Sequence, residues 1–222
     1  YYQGPGWYRT LIDVENPYPK GRTLLHFEGA GQRTEVYVYT QKVGEHLGGY
    51  DEFVVDITEA VPAARELPYY NGRIPIAVMC DNTRDLEMIP SDVSDFNLYG
   101  GLYRHVHRRY VPAVSVERVH IDCRVDGGSA AEVRVKTRLY NPTHVHDELS
   151  LRVVIYDPSG DELASTEVQK EAWSGMVEIA SFTVNEPKLW SPDSPSLYRC
   201  TVELSSPHGA MQVTERFGLR YF

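Results

Sequence analysis

The 222-residue sequence has little cysteine, no strong basic cluster and no long apolar run, and each shortage excludes something. Cys80, Cys123 and Cys200 are scattered, and none stands in a Cys-x-x-Cys pair, so neither a disulfide scaffold nor a zinc or dithiol site is expected. They read as buried thiols and leave the compartment open, with a periplasmic or extracytoplasmic setting preferred to a cytoplasmic one. Lys and Arg number 22 against 31 Asp and Glu, a formal charge of −9 that is shared evenly between the two halves. The densest basic stretch is Arg104, His105, His107, Arg108 and Arg109, too short to grip a phosphate backbone, so nucleic acid is not an expected partner. No apolar run is long enough to cross a bilayer, so no membrane partner is expected either. The chain opens on Tyr1 and Tyr2 with neither a basic start nor an apolar stretch, which reads as a processed chain or a piece of a longer one. A Gly-x-Ser-x-Gly nucleophile elbow is missing, and Gly48-Gly49, Gly100-Gly101 and Gly127-Gly128 make no phosphate-cradling loop ahead of a helix.

What is abundant points to an all-β chain. Seventeen Gly and 14 Pro punctuate β-branched and aromatic runs that include 16 Tyr. Strands are expected at 7–14, 23–28, 35–41, 52–57, 74–81 and 101–110, with Phe53, Val55, Ile57 and Ile76, Val78, Cys80 each lining one face and calling for a second sheet to cover them. Seven more follow at 116–125, 132–140, 148–156, 163–171, 176–184, 197–204 and 211–221, a count that suggests an immunoglobulin-like sandwich. Tyr198, two residues before Cys200, sits where such sandwiches place a tyrosine whose hydroxyl pins a neighbouring loop, although no partner cysteine for a bridge appears. The one helix in prospect is 59–66, with Pro62 near its start. The reading divides the chain into domains at 1–113 and 114–222, and 12 of the 16 Tyr fall in the first, giving it more of the flat surface on which sugar rings stack.

Candidate chemistry is sparse. His105-Val106-His107 and His144-Val145-His146 could each offer two metal ligands from one strand face, but a third ligand at a repeatable spacing is missing, and no metal or cofactor is expected. Asp92 with Asp95, and Asp81 with Asp85, are close in sequence, yet loop acids usually close turns. By chemistry alone this is a binding or scaffold module.

Several phrases in order resemble the front end of family-two glycoside hydrolases, the group of β-galactosidases, β-glucuronidases and β-mannosidases. They are Gly6-Trp7-Tyr8-Arg9, Leu25-His26-Phe27-Glu28-Gly29, Gly48-Gly49-Tyr50-Asp51-Glu52-Phe53, Asp95 to Arg104, Pro187 to Tyr198, and Glu215 to Arg220. The resemblance implies a jelly-roll sugar-binding domain followed by an immunoglobulin-like β-sandwich, both non-catalytic. It implies a parent that cleaves a terminal β-glycoside with retention, with galactoside preferred, and whose own C-terminal catalytic (β/α)₈ barrel holds both catalytic glutamates. No residue here inherits a catalytic role, and the segment alone is expected to be inactive, bracing the barrel and lining part of its pocket.

By match to the loop that reaches the pocket, Asp81, Asn82, Asp95 and Asn97 are candidates for sugar hydroxyls, with Tyr99 or Phe96 as a stacking surface. The competing structural role for Asp81 and Asn82 is closure of the strand that ends at Cys80. Relatives carry Asn-Gly in the turn after the Val-Tyr-Val strand, whereas Tyr39-Thr40-Gln41 stands here, so the same tight turn is not expected. An unpaired sheet edge in the first domain would favour a homo-oligomer. The alternative reading is a free-standing carbohydrate-binding or adhesion module.

Overall fold

The computed structural model describes residues 2–88, 99–127 and 129–221. It is built almost wholly of antiparallel strands and divides into two compact units, Tyr1–Pro17 with Arg22–Val111, and Tyr18–Gly21 with Pro112–Phe222.

The first unit contains β1 (Pro5–Ile12), β2 (Arg22–Phe27), β3 (Arg33–Val38), β4 (Gln41–Leu47), β5 (Phe53–Asp56), β6 (Ile74–Asp81) and β7 (Val106–Val111). They form sheets ordered β1-β6-β3-β4 and β5-β2-β7, and successive strands cross repeatedly between the two as in a jelly roll. Alternation dictates the packing. Ile74, Ile76, Val78 and Cys80 of β6 and Val36 and Val38 of β3 point inward, and meet Leu25, Phe27 and Val55 of the other sheet in one buried core. A 3₁₀ turn at Thr58–Ala60 runs into the five-residue helix α1 (Val61–Arg65), with Pro62 in its first turn where the missing N–H costs nothing. The expected helix is therefore present but shorter.

Three local expectations need correction. β4 was not foreseen, because Gln41, Lys42, Gly44 and Glu45 give this edge strand no apolar alternation. The stretch Gly101 to His105 lies outside any strand, since its pairing reduces to an isolated Gly31 to Gly101 bridge. The strand expected at 35–41 stops at Val38, and Tyr39 and Thr40 form a two-residue loop, with Val38 opposite Gln41 and Tyr39 at φ +55°. Thr40 keeps a negative φ, so this is not the type I′ turn that Asn-Gly would make; Tyr39 bears the left-handed conformation and is tied down by its N–H to the carbonyl of Pro75 at 2.8 Å.

The second unit is a seven-stranded sandwich. Its strands are β8 (Ser115–Asp126), β9 (Ala130–Tyr140), β10 (Glu148–Tyr156), β11 (Glu162–Glu171), β12 (Met176–Asn185), β13 (Tyr198–Ser206) and β14 (Gly209–Phe217). The sheets β12-β9-β8 and β11-β10-β13-β14 give an immunoglobulin-like arrangement with the fourth strand on the larger sheet. Leu149, Leu151, Val153 and Ile155 of β10 are fully buried against Val133, Val135 and Leu139 of β9 and Cys200, Val202 and Leu204 of β13. Tyr198 is buried, and its hydroxyl accepts the N–H of Lys188 at 2.8 Å, the loop-pinning role expected of it. Trp190 is half-buried, stacked under the Arg220 guanidinium, with its N–H on the carbonyl of Leu219 at 2.7 Å.

Candidate functional site

Polar loops gather at one end of the first unit. Strand β6 ends at Asp81, whose carbonyl accepts the N–H of Gln32 at 3.0 Å. The Asp81 Oδ1 accepts both the N–H and the hydroxyl of Thr83, at 2.8 and 2.5 Å, which turns the chain out of the strand. Asn82 Oδ1 accepts the N–H of Gly4 at 2.9 Å, and its Nδ2 donates to the carbonyl of Tyr2 at 3.4 Å. Both candidates thus hold backbone in place. Beside them Arg33 and Asp85 pair at 3.5 Å, and with Asp81, Thr83, Arg84 and Met88 they line a hollow of about 220 Å³.

Tyr99 enters from the other side. Gly100 packs so closely on Asn82 that an added Cβ would stand 2.5 Å from the amide nitrogen, which brings Tyr99 next to Asn82. The Tyr99 ring stacks on Tyr103 with centroids 5.5 Å apart, and Tyr103 leans on Tyr50 at 6.4 Å. The Tyr103 hydroxyl donates to the carbonyl of Gly49, and burial raises its pKa against the opposing charge of Arg104. Tyr50 and Tyr99 keep about half their surface in water, so the ladder offers two open rings on a fixed middle one. Such a surface meets the apolar face of a pyranose, while the neighbouring guanidinium, carboxylates and amide match its hydroxyls.

Asp81, Asn82 and Tyr99 are therefore brought together. Asp95 and Asn97, with Asp92 and Phe96, lie outside the described residues. Tyr50, Tyr103 and Arg33 were missed as site residues. The available signal was the pair of Gly-Gly steps preceding Tyr50 and Tyr103, each of which lets backbone approach closely enough to seat a ring.

Several other acid and histidine groups are engaged elsewhere. Glu28 is held below the usual carboxylate range by its hydrogen bond to His107, Glu35 by Lys42 and Tyr37, Asp122 by Lys136 and His120, and Asp157 by the backbone N–H of Asp161. His107 Nε2 lies 2.7 Å from Glu28, and His146 Nδ1 lies 3.2 Å from Glu171. Among the described residues no group of three His, Cys, Asp or Glu could hold a metal ion. No helix among them is long and apolar enough to cross a membrane.

Comparison with known proteins connects this architecture to one family. Residues 114–220 match the glycosyl hydrolases family 2 model, which covers nearly the whole second sandwich. The chain carries a family 2 glycosyl hydrolase domain. The family resemblance extends across the first unit as well. A crystal structure of Parabacteroides merdae β-glucuronidase is 42% identical with a TM-score of 0.94, over 100% of this chain and 28% of that one. A putative β-glucuronidase of Formosa agariphila is 29% identical over 100% of this chain and 26% of its own length. A β-galactosidase of Thermoanaerobacter pseudethanolicus is likewise 29% identical, over 91% of this chain and 26% of its own. The chain thus spans about a quarter of the length of the family 2 relatives it matches.

Proposed function

We propose that this chain is the non-catalytic front portion of a retaining β-glycoside hydrolase that acts on β-glucuronides. Its two sandwiches brace a catalytic barrel supplied by further polypeptide, and the loop crown of Tyr50, Tyr99 and Tyr103 with Asn82 and Arg33 forms one wall of the sugar pocket. The observation that carries this reading is the 42% identity, along the whole chain, to the Parabacteroides merdae β-glucuronidase. Four of the acids are unsuited to the general-acid role. A glycosidase acid must hold its proton near neutral pH, and Glu28, Glu35, Asp122 and Asp157 are shifted the opposite way. The galactoside preference expected from sequence alone gives way to glucuronide on the strength of that identity. Galactoside remains the second reading because of the Thermoanaerobacter relative.

The test is to assay the isolated chain and the full-length polypeptide on chromogenic β-glucuronide and β-galactoside. The isolated chain is expected to be inert, and the full-length protein to turn over the glucuronide faster. Turnover by the chain alone, abolished by replacing one of its own acids, would overturn the non-catalytic role; preference for the galactoside would overturn the substrate.

A further inference from the structure

The outward face of the sheet β1-β6-β3-β4 carries a trough that the loop crown does not use. Its cause lies in the register. Arg9 lies opposite Ala77 and Ala77 opposite Tyr37, while Leu11 lies opposite Pro75 on the next outward row. The central strand therefore contributes an alanine and a proline where its neighbours contribute long side chains, and the middle of the sheet is low. Trp7 and Tyr37 lean toward each other across it, with ring centroids 5.6 Å apart, and Tyr39 and Tyr70 meet at 6.3 Å. The open trough has a volume of about 600 Å³, the size of a small-molecule site. Trp7 and Tyr39 stand 54% and 49% exposed, a large apolar commitment to water for an otherwise well-packed sandwich.

Charge on the two flanks is unequal. On the β3 and β4 side, Lys42 Nζ lies 2.7 Å from both Glu35 and Glu45, and the Tyr37 hydroxyl donates to Glu35 at 2.5 Å. One cation against two carboxylates leaves that flank net acidic, and its ring is fixed. On the β1 side, Arg9 has no ion-pair or hydrogen-bond partner among the described residues, so a cation stands uncompensated in an aromatic trough.

We propose that this trough binds an acidic pyranose, a hexuronic acid residue of a glycan, with the sugar's C–H face on Trp7 and Tyr39 and its carboxylate on Arg9. Aromatic faces are electron-rich and accept the weakly positive C–H groups of a sugar ring, and the planar guanidinium takes a carboxylate through two parallel N–H···O bonds. A trough of this size suits one or two sugar rings. A stable protein interface needs about 800 Å² from each partner.

The test is titration of the 222-residue chain with a hyaluronan tetrasaccharide, which carries glucuronate, and with neutral cellotetraose, followed by calorimetry and tryptophan fluorescence. The acidic sugar is expected to bind about tenfold tighter or more, the worth of one charge-assisted pair. Arg9→Gln brings the two sugars to parity, and Trp7→Ala abolishes binding of both. Tyr39→Asn removes a ring while keeping a residue that tolerates positive φ, so it weakens binding without loss of fold, as a thermal melt verifies. Equal wild-type affinities, no binding at the solubility limit of the sugar, or binding indifferent to Arg9→Gln and Tyr39→Asn would overturn the proposal. So would a sedimenting oligomer that Trp7→Ala disperses, since the face would then belong to a protein partner.

Discussion

The N–H of Lys188 donates to the hydroxyl of Tyr198 across 2.8 Å, so a buried tyrosine on one strand fixes the loop that leads into it. Removing that oxygen leaves the ring's packing on Phe217 intact and strips one hydrogen bond. Tyr198→Phe is expected to lower stability by about 1 to 2 kcal/mol, read from the guanidinium midpoint at unchanged slope.

Arg22 is buried between Asp56 and Glu59, with Nε and Nη2 both 2.8 Å from Asp56 Oδ2 and Nη1 2.6 Å from Glu59. The second oxygen of Asp56 caps Thr58, accepting its N–H at 2.8 Å and its hydroxyl at 2.5 Å. Asp56→Ala strands a buried guanidinium with only the exposed Glu59 for company and uncaps the 3₁₀ turn. The expected loss is about 2 to 4 kcal/mol, whereas Glu59→Ala costs less than about 1. Urea titration of the two variants checks the asymmetry.

Burial, with Glu215 and Cys123 adding to it, pushes the Cys200 thiol up to about 12. In the unfolded chain a thiol ionises near 8.5. Below that pH both states hold the proton and the contribution to stability is intact. Above it the unfolded chain has released a proton that the folded chain keeps, so stability falls as pH rises toward 12, by at most about 1.4 kcal/mol per pH unit for this thiol. Denaturation at pH 8 and pH 10 is expected to show the decline, and Cys200→Ala to reduce it, leaving the share of Cys123, whose thiol burial pushes up to about 11, and of the buried Cys80.

Gly101 sits at φ +78° and an added Cβ would stand 2.1 Å from the Tyr8 hydroxyl. Gly101→Ala is expected to cost about 1 to 3 kcal/mol through backbone strain and steric conflict. Combining it with Tyr8→Phe removes the nearest atom and restores part of the loss, a double-mutant cycle that separates crowding from backbone conformation.

On the proposed function, Tyr99→Ala in the full-length polypeptide is expected to raise KM for a glucuronide about three- to tenfold, the worth of one stacking contact, with kcat little changed. The melting temperature is expected to move little because the ring is half exposed and tops the ladder. An unchanged KM would remove Tyr99 from the pocket wall.

Much of the fold was legible because strict alternation carries it. Val78 and Cys80, or Leu149 through Ile155, announce their buried face by spacing alone, and the Tyr198 role follows from its place on the sixth strand of the second sandwich. Strand β4 was not legible, because its pairing is dictated by the turn at Tyr39 and by Gly44, which lets Val55 approach to where a Cβ would stand 2.7 Å away. The site was legible only in part. Asp81, Asn82 and Tyr99 lie at one end of the unit, but the ladder joins residues 50, 99 and 103 from separate loops. The outward trough depends on which residue of β6 faces which residue of β1 and β3, a property of register and not of any local phrase.

The second sandwich also includes Tyr18–Gly21, where the Tyr18 hydroxyl reaches the carbonyl of Ala210 at 3.2 Å and its ring covers Gly209. This unit therefore cannot be excised as one continuous piece: a gene fragment opening at Pro112 would leave the β13 to β14 hairpin bare of its tyrosine cover. On the ribosome those four residues emerge first and wait for nearly two hundred more before their partner appears. The closure of this sandwich over Tyr18 thus waits for the synthesis of β14.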